Sequence, residues 1–566
     1  MPDPAVRIRW GVKIPLRDGV RLDATLYLPE APKQPAPTLF TLTPYIAQSY
    51  HDQGMRFASY GYPFLAIDVR GRGNSQGEFF PNRNEGLDGY DIVEWLARQP
   101  YCDGKVAMWG GSYAGHAQWN TARHFPPHLA TIAPVASPYL GLDFPFPNNI
   151  GSNYVLQWLT LVSGSTSQEK IFADQAFWNQ QFRRWLEQGV AYRELDRFVG
   201  HPSDIFQKWV AHPAQNDFWA AFNPTPDQYR RIELPILTIT GIYDGDQRGA
   251  LKHYREHLRH AAAEARKQHY LIIGPWDHAG TRAPKAEFAG VKVGPQSLLD
   301  LAELHRQWYA WTMQGRARPP FLRDNVCYYV MGADCWRYAE TLESVTRRRL
   351  PLLLASDGNP TDIVHSGELV LQPTAVCGGP DSYVYDPRDV SLAGLESEID
   401  PEDRSDQRLL YATRGSQLFY HSPPLVEDTE VSGFFALTLW LSIDQPDTDF
   451  RASVYEVSVN GSSLMLSSDM VRARYRESLR VERLIRTVEP LRYEFRNFTF
   501  VAKRIPRGSR LRLVIGPINS IFSQKNHNTG GVVSEESGGD SRPVTVRLFH
   551  DANHPSILQV PIGSPE

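Results

Sequence analysis

Ser112 lies in the run Gly110-Gly-Ser-Tyr-Ala-Gly115, directly after the strand-like stretch Lys105–Trp109. A strand that turns sharply onto a serine and then enters a helix is a nucleophile elbow. The turn holds the serine in strained backbone space, so only small residues fit beside it, and Gly110 and Ala114 occupy those two places. Ser112 Oγ would stand above a parallel sheet, and the backbone N–H of Tyr113, at a helix N-terminus, would meet a developing oxyanion. The chemistry of such a serine is acyl transfer, which needs a base to take its proton and an acid to orient the base.

Both partners occur downstream. Leu234–Gly241 is a buried-strand pattern ending at Tyr243-Asp244-Gly245, and His269–Pro275 is a second apolar run followed by Trp276-Asp277-His278. Between them Gln247–Arg266 has helical spacing. Serine, acid and histidine in that order, the last two in loops after later strands, is the order of an α/β-hydrolase triad. Ser112 would attack an acyl carbon, His278 would take its proton and return it to the leaving group, and Asp244 would fix the imidazole tautomer. Two rivals for the acid are weaker. Asp277 adjoins His278, and neighbouring side chains seldom orient one another; Asp246 would serve only if the loop bent differently. The bland alternative makes Ser112 a helix N-cap and His278 a surface histidine.

The elements that must position these residues follow from the texture of the chain. Val6–Ile14, Arg21–Leu28, Thr38–Thr43 and Phe64–Val69 read as strands and Leu87–Arg98 as a helix. Strands alternating with helices imply a parallel sheet. From Tyr139 to about Ile232, Trp158, Phe182, Trp185, Trp209 and Trp219 recur at mostly helical spacings, which predicts a helical cap inserted between the sixth and seventh strands. After about residue 345 short β-like runs dominate, among them Leu350–Leu354, Leu369–Gln372, Gly433–Ile443, Arg451–Val457, Tyr493–Val501 and Arg510–Ile515. Turn residues separate them, as in a β-sandwich. The expected class is α/β: a hydrolase core at 1–138 and 233–345, a helical cap at 139–232 and an all-β domain at 346–566.

Composition sets the outer bounds. A chain of 566 residues is too long for a single core, and 42% hydrophobic residues exclude a disordered one. Lys+Arg 59 against Asp+Glu 63 gives a net charge of −4, which makes no electrostatic case for nucleic acid or an anionic membrane. No stretch approaches the ~18 apolar residues of a membrane span. The arginines from Arg472 to Arg486 alternate with apolar and acidic residues and read as solvated strand faces. Cys102, Cys327, Cys335 and Cys377 are thin usage without C-x-x-C spacing, and the N-terminal residues carry no apolar signal core. A cytoplasmic protein is the expectation. The sequons at Asn460 and Asn497 carry no weight without a secretory signal. The Gly71–Gly77 loop follows a strand, as a dinucleotide fingerprint should, but its spacing is G-x-G-x-x-x-G and no helix-forming segment follows until beyond Pro81. No cofactor is expected, nor a metal, since no His and carboxylate pair shows ligand spacing with a third partner. Asp68 and Arg70 read as a polar scaffold near the site.

Several of these motifs occur together in one known group. The Gly110-x-Ser112-Tyr-x-Gly115 elbow, the Asp68–Gly77 loop, Tyr243-Asp244-Gly245 and Gly274-Pro275-Trp276-x-His278 resemble the cocaine esterase (CocE/NonD) group of serine hydrolases. That group includes the α-amino-acid ester hydrolases and the X-prolyl dipeptidyl aminopeptidases. Glu85–Trp95, Asp103-Gly-Lys-Val106, Asp447-Thr-Asp-Phe450 and Gly508–Ile515 extend the resemblance over most of the chain, leaving 139–232 the least similar. The resemblance implies a jelly-roll C-terminal domain. It also implies an oxyanion-hole tyrosine after the third strand, here Tyr45, beside the Tyr113 amide; otherwise Tyr45 simply packs at a strand end. X-prolyl peptidases carry an extra domain ahead of the core, and the elbow serine arrives here by residue 112, so that reading is the weaker one.

The expected function is a serine esterase working through an acyl-enzyme on a small-molecule ester. Amide hydrolysis or acyl transfer with α-amino acyl substrates is the alternative, because the same intermediate serves all three. A carbohydrate-binding protein with a vestigial hydrolase core is the remote one. An aromatic cap implies an apolar pocket wall, with Trp158 a candidate lining residue, although most of these aromatics read as the cap's own core. In α-amino-acid ester hydrolases acids just after the triad aspartate hold the substrate ammonium, which the resemblance carries to Asp246. Asp143 is a candidate second carboxylate. Otherwise Asp246 caps the following helix. Self-association into a homo-oligomer is left open.

Overall fold

The computed structural model describes residues 6–30, 34–372, 379–413 and 415–564. Among them one mixed sheet of ten strands forms the catalytic half. Its strands in chain order are β1 (Val6–Pro15), β2 (Arg21–Pro29), β3 (Ala36–Thr43), β4 (Phe64–Asp68), β5 (Cys102–Gly111), β6 (Leu129–Val135), β7 (Ile236–Tyr243), β8 (His269–Asp277), β9 (Val326–Val330) and β10 (Cys335–Ala339). The spatial order is β1-β2-β4-β3-β5-β6-β7-β8-β9-β10, parallel from β4 through β9 and antiparallel at both edges. The central strands are buried along almost their whole length because helices cover both faces, so they read as continuous apolar runs. The edge strand β1 is largely exposed.

The segment between β6 and β7 is helical, with Tyr154–Leu161, Gln175–Gln188 and Asp204–Val210 its principal helices. Trp158, Phe182, Trp185, Trp209 and Trp219 are buried, and they join one continuous core with Phe40, Leu65 and Met108 of the sheet. Most of the aromatic texture is therefore core, as weighed from the sequence. Residues from Arg348 to Ile562 form an all-β sandwich around Leu439, Phe450, Val454, Tyr493, Leu513 and Ile515.

Three expectations need correction. The helix after β7 stops at His260, and a second begins at Ala263; Ala261 and Ala262 take extended backbone although alanine favours helix. Tyr493–Val501 is not one strand. Leu491–Phe495 ends early, and at Phe500 the side chain of Gln247 takes both backbone hydrogen bonds, accepting from the N–H at 2.6 Å and donating to the C=O at 3.2 Å. Arg472 and Arg474 are not solvated. Both are buried, Arg472 against Asp449 at 2.8 Å and Arg474 against Asp447 at 2.8 Å. Cys102, Cys327 and Cys335 are unpaired, while Cys377 lies outside the described residues. No described helix is long and apolar enough to cross a membrane.

Arg472 joins the sandwich to the helical segment. It makes a bidentate pair with Asp449, donates to Gln524 Oε1 at 3.1 Å, and donates to the backbone C=O of Asn149 in the helical segment at 3.1 Å. Asn148 Nδ2 adds a bond to Asp469 at 2.8 Å. A buried pair broken on one side leaves an uncompensated charge, so Arg472→Leu should cost about 3–5 kcal/mol. Chemical denaturation checks this, with Arg472→Leu/Asp449→Leu expected to lose less than twice the single change.

Candidate active site

Four side chains of interest leave the carboxyl ends of parallel strands: Tyr45 two residues past β3, Ser112 one past β5, Asp244 one past β7 and His278 one past β8. In open α/β sheets ligands bind at this end. Register does the rest, because Tyr243 pairs with Asp277 and the next residues, Asp244 and His278, leave neighbouring strands side by side.

Ser112 adopts φ 59°, ψ −124°, a conformation that non-glycine residues rarely hold. Its N–H donates to Val135 O at 2.9 Å. Gly110 has φ 143°, and a Cβ there would come 2.6 Å from Ala114 Cβ and 2.9 Å from Thr41 Oγ1. The small residues of the motif are thus sterically required. Tyr113 is the first residue of the following helix, where its N–H has no intrahelical acceptor. Its ring stacks on Trp158, and its hydroxyl donates to Glu85 and accepts from the Asn82 N–H at 3.0 Å. Burial raises the Glu85 carboxyl to about 7.

His278 Nδ1 lies 2.7 Å from Asp244 Oδ1. Asp244 also accepts from the Asp246 N–H at 3.0 Å and from Thr240 Oγ1 at 2.8 Å. Burial alone would raise the Asp244 carboxyl, but His278 and these two donors outweigh it and hold it below the ordinary range. Burial likewise opposes charging of His278, and Asp244, with Asp246 behind it, raises it above the ordinary imidazole value. Among the described residues no hydrogen bond joins His278 to Ser112 Oγ, though both line one cavity; such bonds commonly tighten only around substrate. Asp277, the sequence rival, instead accepts from the Gly280 N–H at 2.6 Å.

Tyr45 lines the same cavity. Its hydroxyl accepts from Trp158 Nε1 at 3.0 Å, which occupies a lone pair and frees the phenolic proton to point into the cavity. Burial pushes the phenol up to about 12, so it stays protonated. The loop behind it is tightly determined. Ile46 has φ 69°, unusual for a β-branched residue, and is held between the Tyr45 N–H on Thr43 Oγ1 at 3.0 Å and the Ala47 N–H on Asp68 Oδ1 at 2.7 Å. Asp68 is the scaffold expected. Arg70 is not, since it pairs with Asp88 and Asp18. Buried Arg72 does that work, donating to Pro44 O at 2.9 Å. Gly73 lets this happen: a Cβ there would fall 2.1 Å from Asp68 Oδ2.

The cavity has a volume of about 490 Å3. Trp158, Phe144 and Tyr154 form an apolar wall, and Asp143, Asp246 and Glu402 a carboxylate wall. Asp246 stands at the N-cap position of the helix Gln247–His260 but makes no side-chain capping bond. Its carboxylate comes within 3.7 Å of His278 Nδ1. Asp143 accepts from the backbone N–H groups of Tyr139 and Gly249, tying the start of the helical segment to that helix. Burial raises Asp143 to about 7 and Asp246 well above the ordinary carboxylate value; Asp244 adds to the rise of Asp143, and Asp143 and Asp244 to that of Asp246. Asp244, Asp246 and His278 bring donor atoms within 4.8 Å of one another, a compactness metal sites share. Here the proton between His278 Nδ1 and Asp244 uses the lone pair a metal would need. Glu402, Tyr154, Glu85 and Arg72 escaped the sequence reading. Glu402 and Tyr154 reach the cavity only through the tertiary path, while Arg72 sat in the noted glycine loop and could have been found there.

A serine elbow, an aspartate–histidine pair and a protonated phenol on the carboxyl ends of one parallel sheet define an α/β-hydrolase. Residues 18–280 match the family model described as X-Pro dipeptidyl-peptidase (S15 family), and residues 354–559 match the X-Pro dipeptidyl-peptidase C-terminal non-catalytic domain. The chain thus carries a Peptidase S15 domain and the C-terminal domain that goes with it, and it is an enzyme of the CocE/NonD type of serine esterases and hydrolases. It is 26% identical to a cocaine esterase of Rhodococcus sp. (strain MB1 Bresler) over 99% of this chain and 100% of that one. Its fold is similar to that of an α-amino acid ester hydrolase, with TM-score 0.84, 20% identity and 99% and 97% of the two chains covered. It is also similar to an aminopeptidase from a marine-sediment Thaumarchaeota archaeon, with TM-score 0.80, 21% identity and the same coverage.

The electrostatics give an expectation independent of substrate. His278 should titrate above the ordinary value of 6.5. Asp244→Asn should move it downward, read from the pH dependence of diethyl pyrocarbonate modification at His278.

Proposed function

We propose that this enzyme hydrolyses carboxylic esters through an acyl-enzyme on Ser112. The observation that carries the reading is that His278, paired with Asp244 at 2.7 Å, lines one cavity with a serine held at a strained elbow. In this reading His278 Nε2 takes the Ser112 proton as Oγ attacks the acyl carbon. Asp244 keeps the proton on Nδ1 and stabilises the imidazolium. The tetrahedral oxyanion receives hydrogen bonds from Tyr45 OH and the Tyr113 N–H. Collapse expels the alcohol, which leaves with the proton from His278. Water then attacks the acyl-enzyme with His278 as base, and Ser112 recovers its proton.

The carboxylate wall favours a second, narrower reading: the acyl group carries a cationic amine near its carbonyl. Asp143 and Asp246 face the same space, with the exposed Glu402 at its edge, and an ammonium there would supply the countercharge that Asp143 and Asp246 lack. Relatives whose names state ester and α-amino acid ester hydrolysis support both readings.

Matched p-nitrophenyl esters of phenylglycine and phenylacetic acid test the pair. Ser112→Ala should abolish turnover of both, and Tyr45→Phe should lower kcat about 10²–10³-fold. The amine reading expects the phenylglycine ester to be preferred and Asp246→Asn to erase the preference. A raised carboxylate pKa keeps the acid neutral at low pH, so the preference should grow as pH rises toward about 7, where Asp143 ionises. Equal turnover at every pH would leave the ester reading and remove the amine.

A further inference from the structure

A second chamber, of about 420 Å3, lies against the sandwich. Its floor is one face of three paired strands, Asp449–Val457, Ser463–Arg472 and Arg510–Pro517. Phe450, Ala452 and Val454 point into the sandwich core, so alternation turns Arg451, Ser453 and Tyr455 to this opposite face. Met470 and Gly516 flank Arg451 in register. Residues between 392 and 413 supply the facing wall, and Arg248 enters from the catalytic side.

The acids of that wall are engaged locally. Asp403 accepts from the N–H groups of Ser405 and Asp406, and Asp406 pairs with Arg408. Glu396 accepts from Ser520 Oγ and the Ile521 N–H, and Asp400 from the Glu402 N–H. Of the three arginines, Arg404 pairs with Glu402, but Arg248 and Arg451 are not engaged in this way. Among the described residues Arg451 forms no ion pair, and its one side-chain hydrogen bond is a 3.8 Å contact with Met470 Sδ. Arg248 donates to Ser468 O at 2.8 Å, while its buried Nε has no partner among those residues. Burial pushes the Arg451 guanidinium below its ordinary pKa, and the charge of Glu396 on the facing wall, which forms no ion pair with it, offsets this only in part. A guanidinium has five donors and no acceptor, and desolvating it without an anion is costly. Ile399, Leu409, Met470 and Phe522 line the rest, so the chamber suits an apolar chain ending in an anion better than an inorganic one.

The chamber adjoins the catalytic cavity at three points. Glu402 of the cavity accepts from Arg404 of the chamber at 3.0 Å. Asp246 and Arg248, two residues apart, line one space each. Ser152 of the cavity bridges Ser523 of the chamber.

We propose that Arg451, with Arg248, forms a subsite for the carboxylate of an aliphatic ligand. The first source to consider is a carboxylate on the far end of the acyl group, because the chamber abuts the acyl-side wall; that assignment rests on the ester reading above. A free aliphatic carboxylate is the other source.

Two measurements on the full chain separate the cases. Calorimetric titration with suberate needs no turnover. Binding to wild type should weaken at least about tenfold in Arg451→Gln, as for loss of a charge-assisted bond, with Arg451→Lys in between. No binding to wild type, or equal affinity in Arg451→Gln, overturns the subsite, and Arg451→Lys keeps the test valid if the glutamine variant does not fold. The kcat/KM ratio for p-nitrophenyl hydrogen suberate over p-nitrophenyl octanoate then assigns the source. A ratio that falls in Arg451→Gln supports a substrate carboxylate. An unchanged ratio with suberate binding intact supports a free carboxylate and overturns the acyl-side source. Absence of turnover on both esters would count against the ester reading and leave the calorimetric result standing.

Discussion

The strained backbone at Ser112 is the constraint on which the site depends. A non-glycine residue at φ 59°, ψ −124° costs about 1–3 kcal/mol and survives only where its surroundings over-determine it. Here they do so from three sides. Gly110 removes the side chain that would strike Ala114, the Ser112 N–H is anchored on β6, and Tyr113 is fixed by Glu85, Asn82 and Trp158. Glu85 matters because a buried carboxyl near its neutral form can accept from a phenol without a countercharge. Tyr113 then presents its N–H and Ser112 its Oγ to one cavity from adjacent residues. If the elbow relaxed, both groups would move together.

The two aspartates after β7 show how position decides charge. Asp244 and Asp246 are two residues apart and both buried, yet their pKa values move in opposite directions. Asp244 has three donors, one of them the Asp246 N–H itself, and stays ionised against His278. Asp246 has no donor on its carboxylate among the described residues, and burial with Asp143 and Asp244 nearby pushes its pKa up. Environments that drive neighbouring acids apart in this way assign them different tasks. In the proposed mechanism one orients a base, and in the amine reading the other receives a cation.

Much of this was legible in the sequence, and the reason is geometric. On a parallel sheet the residues one or two places beyond apolar runs gather at one edge, so the placement of Ser112, Asp244 and His278 there could be read from strand patterns and chain order, and that of Tyr45 from the family's motif. The helical segment and the all-β domain were legible because their periodicities differ. What escaped was set by tertiary contact. The interruption at Phe500 exists because Gln247 takes its backbone bonds, the break at Ala261 has no local breaker, and the burial of Arg472 depends on a carboxylate 23 residues away in sequence. Glu402 reaches the cavity from the sandwich side, which no local pattern announces.

That last residue explains why the sandwich belongs to the site. Catalytic enclosures strengthen electrostatic interactions by excluding water, but only if their walls hold still. The cavity here takes one wall from the sheet, one from the helical segment and Glu402 from the sandwich region. Three buried polar joints lock these parts: Gln247 on Phe500, Asn148 on Asp469, and Arg472 on both Asp449 and Asn149. Swinging the helical segment away would uncover Arg472, at a cost comparable to breaking a buried ion pair. Ligand entry therefore belongs on the side where more than a third of the His278 side chain is exposed, and not at a hinge of the cap. A rigid enclosure also keeps Asp143 and Asp246 desolvated, and that desolvation is the main cause of their raised pKa values.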